Sequence, residues 1–400
     1  MKDNLSVYVH IPFCKRKCLY CDFLSYCPGE GEVNRYFDAL EKEIRLSCKS
    51  FSDYSVKTIF FGGGTPSFPD ERYVCRILDV LRSCFEVDEE AEISIEVNPA
   101  SAIREKLKAY REAGFNRISI GVQSFNDKEL KAIGRLHDSE AAVTTFYEAR
   151  DIGFKNINID LMSALPGQSA DSYLSTLKRA AELKPEHISA YSLIIEEGTP
   201  FYDMKLNLPD EEDDRLMYHE TGRFLAAHGY NRYEISNYAL PGFECRHNKV
   251  YWQRGNYVGF GPGAASMTEN IRRSNTGDVN RYLEELSAIS VSSISELKEE
   301  ASPDIGLPVW ENTEHLNTAS QMEEFMFLGL RLTEGISTAE FERQFGKSVF
   351  EVYGPVIKKY ESMGLLYQYV KSTTSGKERY LSLTERGLDV SNTVMADFLF

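Results

Sequence analysis

The 400-residue sequence has no apolar run approaching the ~20 residues that a membrane-spanning helix needs, so a helical membrane protein is not expected. Its opening residues, MKDNLSVYVHIPFCKRKC, contain no long apolar stretch ahead of a small-residue cleavage site. No secretory signal is therefore expected, and the expected compartment is the cytoplasm. Positive charge is in short supply: 45 Lys and Arg face 61 Asp and Glu, a net charge of −16. This balance disfavours general nucleic-acid binding, which neutralises phosphates with clustered basic side chains. An anionic membrane surface would repel the chain as well. Internal repeats and low-complexity tracts are absent. Hydrophobic residues make up 42% and charged residues 26%, a globular balance that excludes a largely disordered chain. The length exceeds what one small core needs, so a large α/β domain with a smaller appendage is expected.

Over the first 230 residues, short β-rich segments alternate with helical patterns. The predicted strands are 7–13, 58–64, 92–99, 117–124, 156–162 and 187–195, all rich in Val, Ile, Phe or Tyr. Between the first two, Tyr36, Phe37, Leu40 and Ile44 recur at helical spacing. Further helices are predicted near 69–84, 101–113, 138–151, 170–183 and 211–228, with Gly114 and Gly153 at C-cap positions. Repeated βα units imply a parallel sheet with right-handed crossovers. The chemistry-bearing residues fall at strand C-terminal ends: a Cys cluster after the first, Gly62–Pro66 after the second, Glu96 with Asn98, Gln123 and Asp160 in the next three. Five strand ends converging on one site suit a partial barrel, whose active rim lies there, better than an open sheet with a single switch point.

Residues 231–297 read as a less regular barrel extension with a helix near 279–288, and 298–318 as a linker. Residues 319–400 read as a second domain in winged-helix order: helices near 320–332, 337–345 and 348–363, two strands about TTSGK, and a last helix. Residues 321–400 hold 9 Lys and Arg against 11 Asp and Glu, a net of −2, so a packing or lid role is preferred over DNA reading.

Three of the eight cysteines crowd together as Cys14-x₃-Cys18-x₂-Cys21. A long, apparently cytosolic chain makes a disulfide framework a poor explanation. Close thiolate spacing suits a [4Fe–4S] cluster with one iron left open. Lys15, Arg16 and Lys17 favour the thiolate forms. A zinc site completed by Cys27 or a histidine is the alternative. The Gly62–Gly64 triplet lets backbone N–H groups approach a carboxylate, or else simply makes a tight turn. Buried acids such as Glu96 and Asp160 need partners, supplied by a ligand ammonium, a ribose hydroxyl or an arginine. In His247-Asn248-Lys249-Val250-Tyr251-Trp252, the histidine is either structural or an axial ligand for heme iron with aromatic rings on the porphyrin face.

The stretch YVHIPFCKRKCLYCDF resembles the start of radical S-adenosylmethionine (SAM) proteins, with an aromatic residue, Tyr20, directly before Cys21. More narrowly, the chain resembles the group containing oxygen-independent coproporphyrinogen III oxidases and HemW-type heme chaperones, from about Tyr8 onward. The resemblance implies a partial (β/α)₆ barrel and a [4Fe–4S] cluster on Cys14, Cys18 and Cys21. It further implies SAM contacts at Tyr8, Tyr20, Gly63, Gly64, Thr65, Glu96, Gln123, Arg135, Asp160, Ile194 and Ala265. The string at 247–252 resembles the HNxxYW motif of the chaperones, which implies heme contacts at His247, Asn248, Tyr251 and Trp252, with Cys245 a lesser candidate. Two departures separate the chain from the oxidases, which would remove the β-hydrogen of a propionate by a SAM-derived radical. Phe23 stands where they carry another cysteine, and Cys14 lies close to the start where they carry an N-terminal extension. The implied partners are heme and a heme-accepting protein.

Overall fold

The computed structural model describes residues 2–289, 307–373 and 376–400. Alternation along the strands sets the architecture. In β1 (Asp3–Ile11), Val7, Val9 and Ile11 face one way and are buried, while Tyr8 and His10 face the other. The pattern repeats in β2 (Tyr54–Gly63), β3 (Val87–Val97), β4 (Arg117–Gln123), β5 (Ile157–Ser163) and β6 (His187–Ser192). The apolar faces pack under helices α1 (Glu32–Ser47), α2 (Glu71–Cys84), α3 (Arg104–Ala113), α5 (Ser139–Ile152) and α6 (Ala170–Glu182), with α7 (Glu211–Ala227) beyond β6. Val9, Phe61, Ile95, Ile120 and Ile159 of the strands share one core with Leu40, Leu78, Leu107, Phe146 and Leu177 of the helices. Gly114 and Gly153 end α3 and α5 in the left-handed conformation, as predicted.

Strands β1 to β6 pair in parallel and in chain order, the arrangement of a partial (β/α)₆ barrel. The sheet continues past β1 through β9 (Tyr257–Phe260), β10 (Ala265–Thr268), β11 (Ile271–Asn275) and β12 (Trp310–His315). On the other side, β8 (Asn237–Ala239) and β7 (Asn231–Arg232) follow β6. The two outermost strands do not pair with each other, so the barrel stays open.

Three local differences from expectation have physical causes. A six-residue helix, α4 (Asp127–Ala132), is too short to show periodicity, and its N-cap Asn126 accepts the Lys128 N–H. Strand β6 stops at Ser192, and Leu193 and Ile194 leave the sheet for the barrel rim. Of the predicted linker, 298–306 lies outside the described residues, and 310–315 is instead the edge strand β12. Its charged, exposed outer residues hid it. It is held by pairing with β11 and by Trp310, whose ring centre lies 3.7 Å from the Arg273 guanidinium carbon.

The C-terminal part has its own core, including Met326, Phe341, Ile357, Leu381 and Phe398. Helices Thr318–Gly329, Thr338–Phe345 and Val349–Ser362 precede the antiparallel strands Leu366–Thr373 and Gly376–Leu383. Ile336–Ser337 adds a third strand, and the single last helix expected is two short ones, Glu385–Asp389 and Ser391–Ala396.

Candidate functional site

The loop after β1 is fastened before it presents its thiols. Cys14 N–H donates to Tyr26 O (2.9 Å) and Tyr26 N–H to Pro12 O (2.8 Å). Phe13 packs edge-on against Tyr36, 4.9 Å between ring centres, while the Tyr36 hydroxyl donates to His10 O. Further on, Leu19 N–H donates to Ile133 O (3.2 Å) and Leu19 O accepts from Phe201 N–H (3.1 Å). These ties set Cys14, Cys18 and Cys21 on the wall of one cavity of about 390 Å³ at the C-terminal rim of the strands. Cys14 Sγ lies 3.4 Å from Thr65 Oγ1, and Arg135 Nη1 lies 3.8 Å from Cys18 Sγ. Burial pushes the Cys14 and Cys21 thiols up, and a bound metal replaces those protons outright.

The donor set fits a [4Fe–4S] cluster. Three soft thiolates share one wall, with a fourth direction open to the cavity. A cube takes one thiolate per iron and so needs them spread. Among the described residues, no three His, Cys, Asp or Glu side chains close on a single-ion position. Gly64 matters for space: a Cβ there would lie 2.9 Å from Phe13 O and 3.1 Å from Cys14 Sγ. Gly63, at φ 112°, occupies the left-handed region, and its Cβ would strike the His10 ring at 2.7 Å.

The other strand ends supply charge. Glu96 is held by the Gly63 N–H, yet burial and the neighbouring Asp160 push its carboxyl up to about 8. Asp160 accepts from Ser119 Oγ (3.0 Å) and Asn158 Nδ2 (2.7 Å), while burial pushes its carboxyl up too. Gln123 sits at φ 68°, past a register shift in β4, and accepts from the Tyr191 hydroxyl (3.0 Å). A strained backbone at a ligand-facing amide is the kind of outlier that marks functional sites. Arg135, just after α4, donates to Gly121 O and aims at Cys18.

Of the residues expected to meet SAM, Tyr20, Gly63, Gly64, Thr65, Glu96, Gln123, Arg135, Asp160 and Ile194 line this cavity. Ile194 stands at the mouth, 68% exposed. Tyr8 is one layer deeper: a Cβ on Gly62 would sit 3.1 Å from its ring and 3.2 Å from Glu96. Ala265 lies apart, on strand β10 and exposed. The structure adds Ser119, Met162 and Tyr191 to the lining. Their signal was present: each is an inward position, two residues from another inward residue of its strand.

The 247–252 string is elsewhere. Helix α8 (Arg246–Trp252) plugs the end of the barrel where the strands begin. Glu92 of β3 accepts the Arg246 and His247 N–H groups at 3.1 and 3.0 Å. The His247 ring is 1% exposed and stacks on Phe60. Its Nδ1 pairs with Thr58 Oγ1 (2.8 Å) and its Nε2 with the Tyr251 hydroxyl (2.9 Å). Burial and Arg117 push its imidazole down to about 3, so it is neutral. Of the two roles the sequence left open for it, this arrangement is the structural one, with both ring nitrogens engaged. Cys245 is likewise buried, its thiol 3.6 Å from Glu92. Asn248 is half-buried, and Trp252 lies 4.3 Å from the guanidinium carbon of Arg331 in the C-terminal part.

Residues 8–213 match the radical SAM superfamily and 316–390 the HemN C-terminal domain. The heme chaperone HemW of Bacillus subtilis (strain 168) is 37% identical over 399 residues, covering 98% of this chain and 99% of that one. The heme chaperone HemW of Lactococcus lactis is 35% identical, covering 98% and 97%. Among solved structures, the radical SAM enzyme coproporphyrinogen III oxidase (HemN) from Escherichia coli superposes with a TM-score of 0.82 at 25% identity, covering 99% of this chain and 90% of that one. With the cysteine loop, the glycine turn and the six-strand barrel in place, the chain belongs to the radical SAM superfamily and, within it, to the family of the HemW proteins.

Proposed function

We propose that the protein is a heme chaperone that holds a [4Fe–4S] cluster on Cys14, Cys18 and Cys21, binds SAM beside it, and passes heme to an acceptor protein. The observation that carries the SAM reading is the single cavity in which three thiols face Gly63, Gly64, Thr65 and Glu96. A bound cluster supplies an open iron for chelation and, when reduced, an electron. The chain's own residues do the rest. Glu96 takes an ammonium and Asp160 takes hydroxyl donors, while Gly63, Gly64 and Thr65 shape the wall, their N–H groups engaged by Glu96, Ile11 O and Phe13 O. Arg135 offsets thiolate charge beside Cys18. The chaperone reading is supported by HemW relatives that match nearly the full chain.

Heme contact at His247 requires α8 to turn outward. The bonds from His247 to Thr58 and Tyr251 must break, at about 1 kcal/mol net each. The rival reading is oxidative decarboxylation of coproporphyrinogen III, favoured by the likeness to HemN. The test is an anaerobic assay with coproporphyrinogen III, SAM and reductant, beside a hemin titration. The chaperone reading expects a shifted Soret band, lost in His247→Ala with the cluster absorption intact, and no porphyrin turnover. An unchanged spectrum and affinity in His247→Ala makes that histidine purely structural. Porphyrin turnover by the wild type replaces the chaperone reading with the enzyme.

A further inference from the structure

Beneath the SAM cavity the barrel interior is polar, and one chain of its hydrogen bonds ends on a cavity residue. Strand register places the parts. Ser119 of β4 pairs with Asn158 of β5, which pairs with His187 of β6. One layer nearer the rim, Asp160 stands between Gly121 and Ser189. All are inward positions, two residues apart along their strands. Asn158 and His187 are 1% and 0% exposed. A buried amide and a buried imidazole are costly unless their polar atoms are partnered.

The partners fix the protons along this chain. Asn158 Nδ2 donates to Asp160 Oδ1 (2.7 Å) and to Ser119 Oγ (2.7 Å), and Ser119 Oγ donates to Asp160 Oδ2 (3.0 Å). The amide is not reversible, because its carbonyl would then face the carboxylate. Asn158 Oδ1, an acceptor, therefore meets a protonated His187 Nδ1 at 2.6 Å. That leaves Nε2 to accept the Tyr233 hydroxyl proton (2.9 Å), and the Tyr233 oxygen takes the Cys245 N–H (3.3 Å). Burial holds the His187 imidazole well below its usual range, so it stays neutral and keeps one tautomer. Every donor points toward Asp160, and successive bonds of one polarity strengthen each other. Burial pushes the Asp160 carboxyl up, and the side-chain donors beneath it act against that. Both carboxylate oxygens are thus gripped from below, one by Asn158 and one by Ser119. Each keeps acceptor capacity for a ligand in the cavity that Asp160 lines.

We propose that Asn158 and His187 are positioning residues that hold Asp160 as an oriented carboxylate, so that it selects ligands bearing ribose hydroxyls over their deoxy analogues. This role rests on the SAM reading, in which Asp160 takes hydroxyl donors, and adds what fixes that acceptor. Hydroxyls on adjacent ribose carbons match a carboxylate whose two oxygens are both held in place.

The test titrates the anaerobically reconstituted full-length chain with SAM and with its 2′-deoxy and 3′-deoxy analogues. The wild type should prefer SAM about ten-fold or more, as expected for a hydrogen bond to a charged group. Asn158→Ala and His187→Leu should lose most of that preference, with the affinities for the deoxy analogues and the cluster absorption unchanged. His187→Asn, whose amide N–H₂ can stand where Nδ1 stood, should regain it. Tyr233→Phe removes one hydroxyl, frees the imidazole to take either tautomer, and should lose part of the preference. This near-isosteric change serves equally if His187→Leu fails to fold. The proposal is overturned if Asn158→Ala and Tyr233→Phe prefer SAM as strongly as the wild type while Asp160→Ala does not, since Asp160 then selects ribose unaided. It is also overturned if the variants weaken the deoxy analogues as much as SAM, since the chain then only supports the fold. A wild type that binds SAM without preferring it removes Asp160 from the ribose site and overturns this role alone. A wild type that binds no SAM overturns the SAM reading as well.

Discussion

Glu96 shows how a single residue joins folding to function. It occupies an inward position of β3, where burial and Asp160 hold its carboxyl up at about 8 rather than in the usual carboxylate range. Without a counter-charge it is therefore mainly protonated at neutral pH. A ligand ammonium needs the carboxylate, so SAM binding must release that proton. The sign follows: SAM affinity should rise as pH increases toward about 8, where Glu96 gains its charge, and fall above it as the ligand's own α-amino group loses its proton. Near that pH, Glu96→Gln should weaken binding by about 1.5–3 kcal/mol, the scale of a charged hydrogen bond, and remove the rising limb. Calorimetric titration across pH 6.5–9.5 (roughly the range spanning the shift) reads both effects, and a flat wild-type profile would take Glu96 out of the ammonium site. The cysteines belong to the same scale. Replacing Cys14, Cys18 or Cys21 with Ala should abolish the broad visible absorption of anaerobically reconstituted protein, whereas replacing Cys27 or Cys75 should leave it. Reconstituted protein holding zinc and no iron would end the cluster reading.

At the scale of elements, helix α1 depends on a buried acid. Glu43 lies on its core face and accepts Gly261 N–H (2.9 Å), Asn275 Nδ2 (2.6 Å) and the Tyr282 hydroxyl (2.6 Å). One carboxylate thus fastens α1 to the turn after β9, to β11 and to helix α9 (Val279–Ala288). Glu43→Ala strands three buried donors and should cost roughly 3–5 kcal/mol by denaturant unfolding, with Glu43→Gln milder. A loss under about 1 kcal/mol would mean that water replaces the carboxylate at little cost. Glu43 was not legible in the sequence, because nothing in a helix pattern tells a buried acid from a solvated one. What was legible was set by repetition. Strands β1 to β6 and helices α1 to α3 and α5 to α7 announce themselves because each buries a continuous apolar face. Strands β7 and β8 are two and three residues long, and β12 is charged on its exposed side, so neither alternation nor composition betrays them. The site was legible for a related reason. Cys14, Gly63, Glu96, Gln123 and Asp160 are costly residue types at strand ends, and a shared rim is the economical explanation. His247 was not decided by sequence, because a histidine beside aromatics looks alike as a ligand or as a plug; in this arrangement both its ring nitrogens are engaged, by Thr58 and Tyr251.

Across the whole molecule, the barrel and the C-terminal part meet through charge rather than through one shared core. Glu324, on the first C-terminal helix, receives Arg254 Nε at 3.0 Å and also pairs with Arg272. Arg254 and Glu324 side chains are each only 6% exposed, so neither charge has water to fall back on. Beside them, Arg331 covers Trp252 and approaches Glu234 at 3.7 Å, while Thr333 N–H donates to Tyr233 O (3.0 Å). These contacts fall around α8 and the segment leading into it, so the C-terminal part braces the plug that closes the barrel floor. Any outward turn of α8 must therefore loosen this joint as well. Glu324→Ala removes one partner from a buried ion pair and leaves two arginines facing each other, a change of about 3–5 kcal/mol. The barrel core and the C-terminal core contain separate sets of residues, so the loss should fall on their junction rather than on either core. The expected outcome is a calorimetric trace that splits into two transitions and faster protease cutting near 230–260 or 316–335. If α8 also gates heme, Glu324→Ala should bind hemin faster than the wild type while its SAM affinity stays the same. A single, uniformly lowered transition with unchanged hemin kinetics would show that the joint contributes to global stability alone and leaves α8 in place.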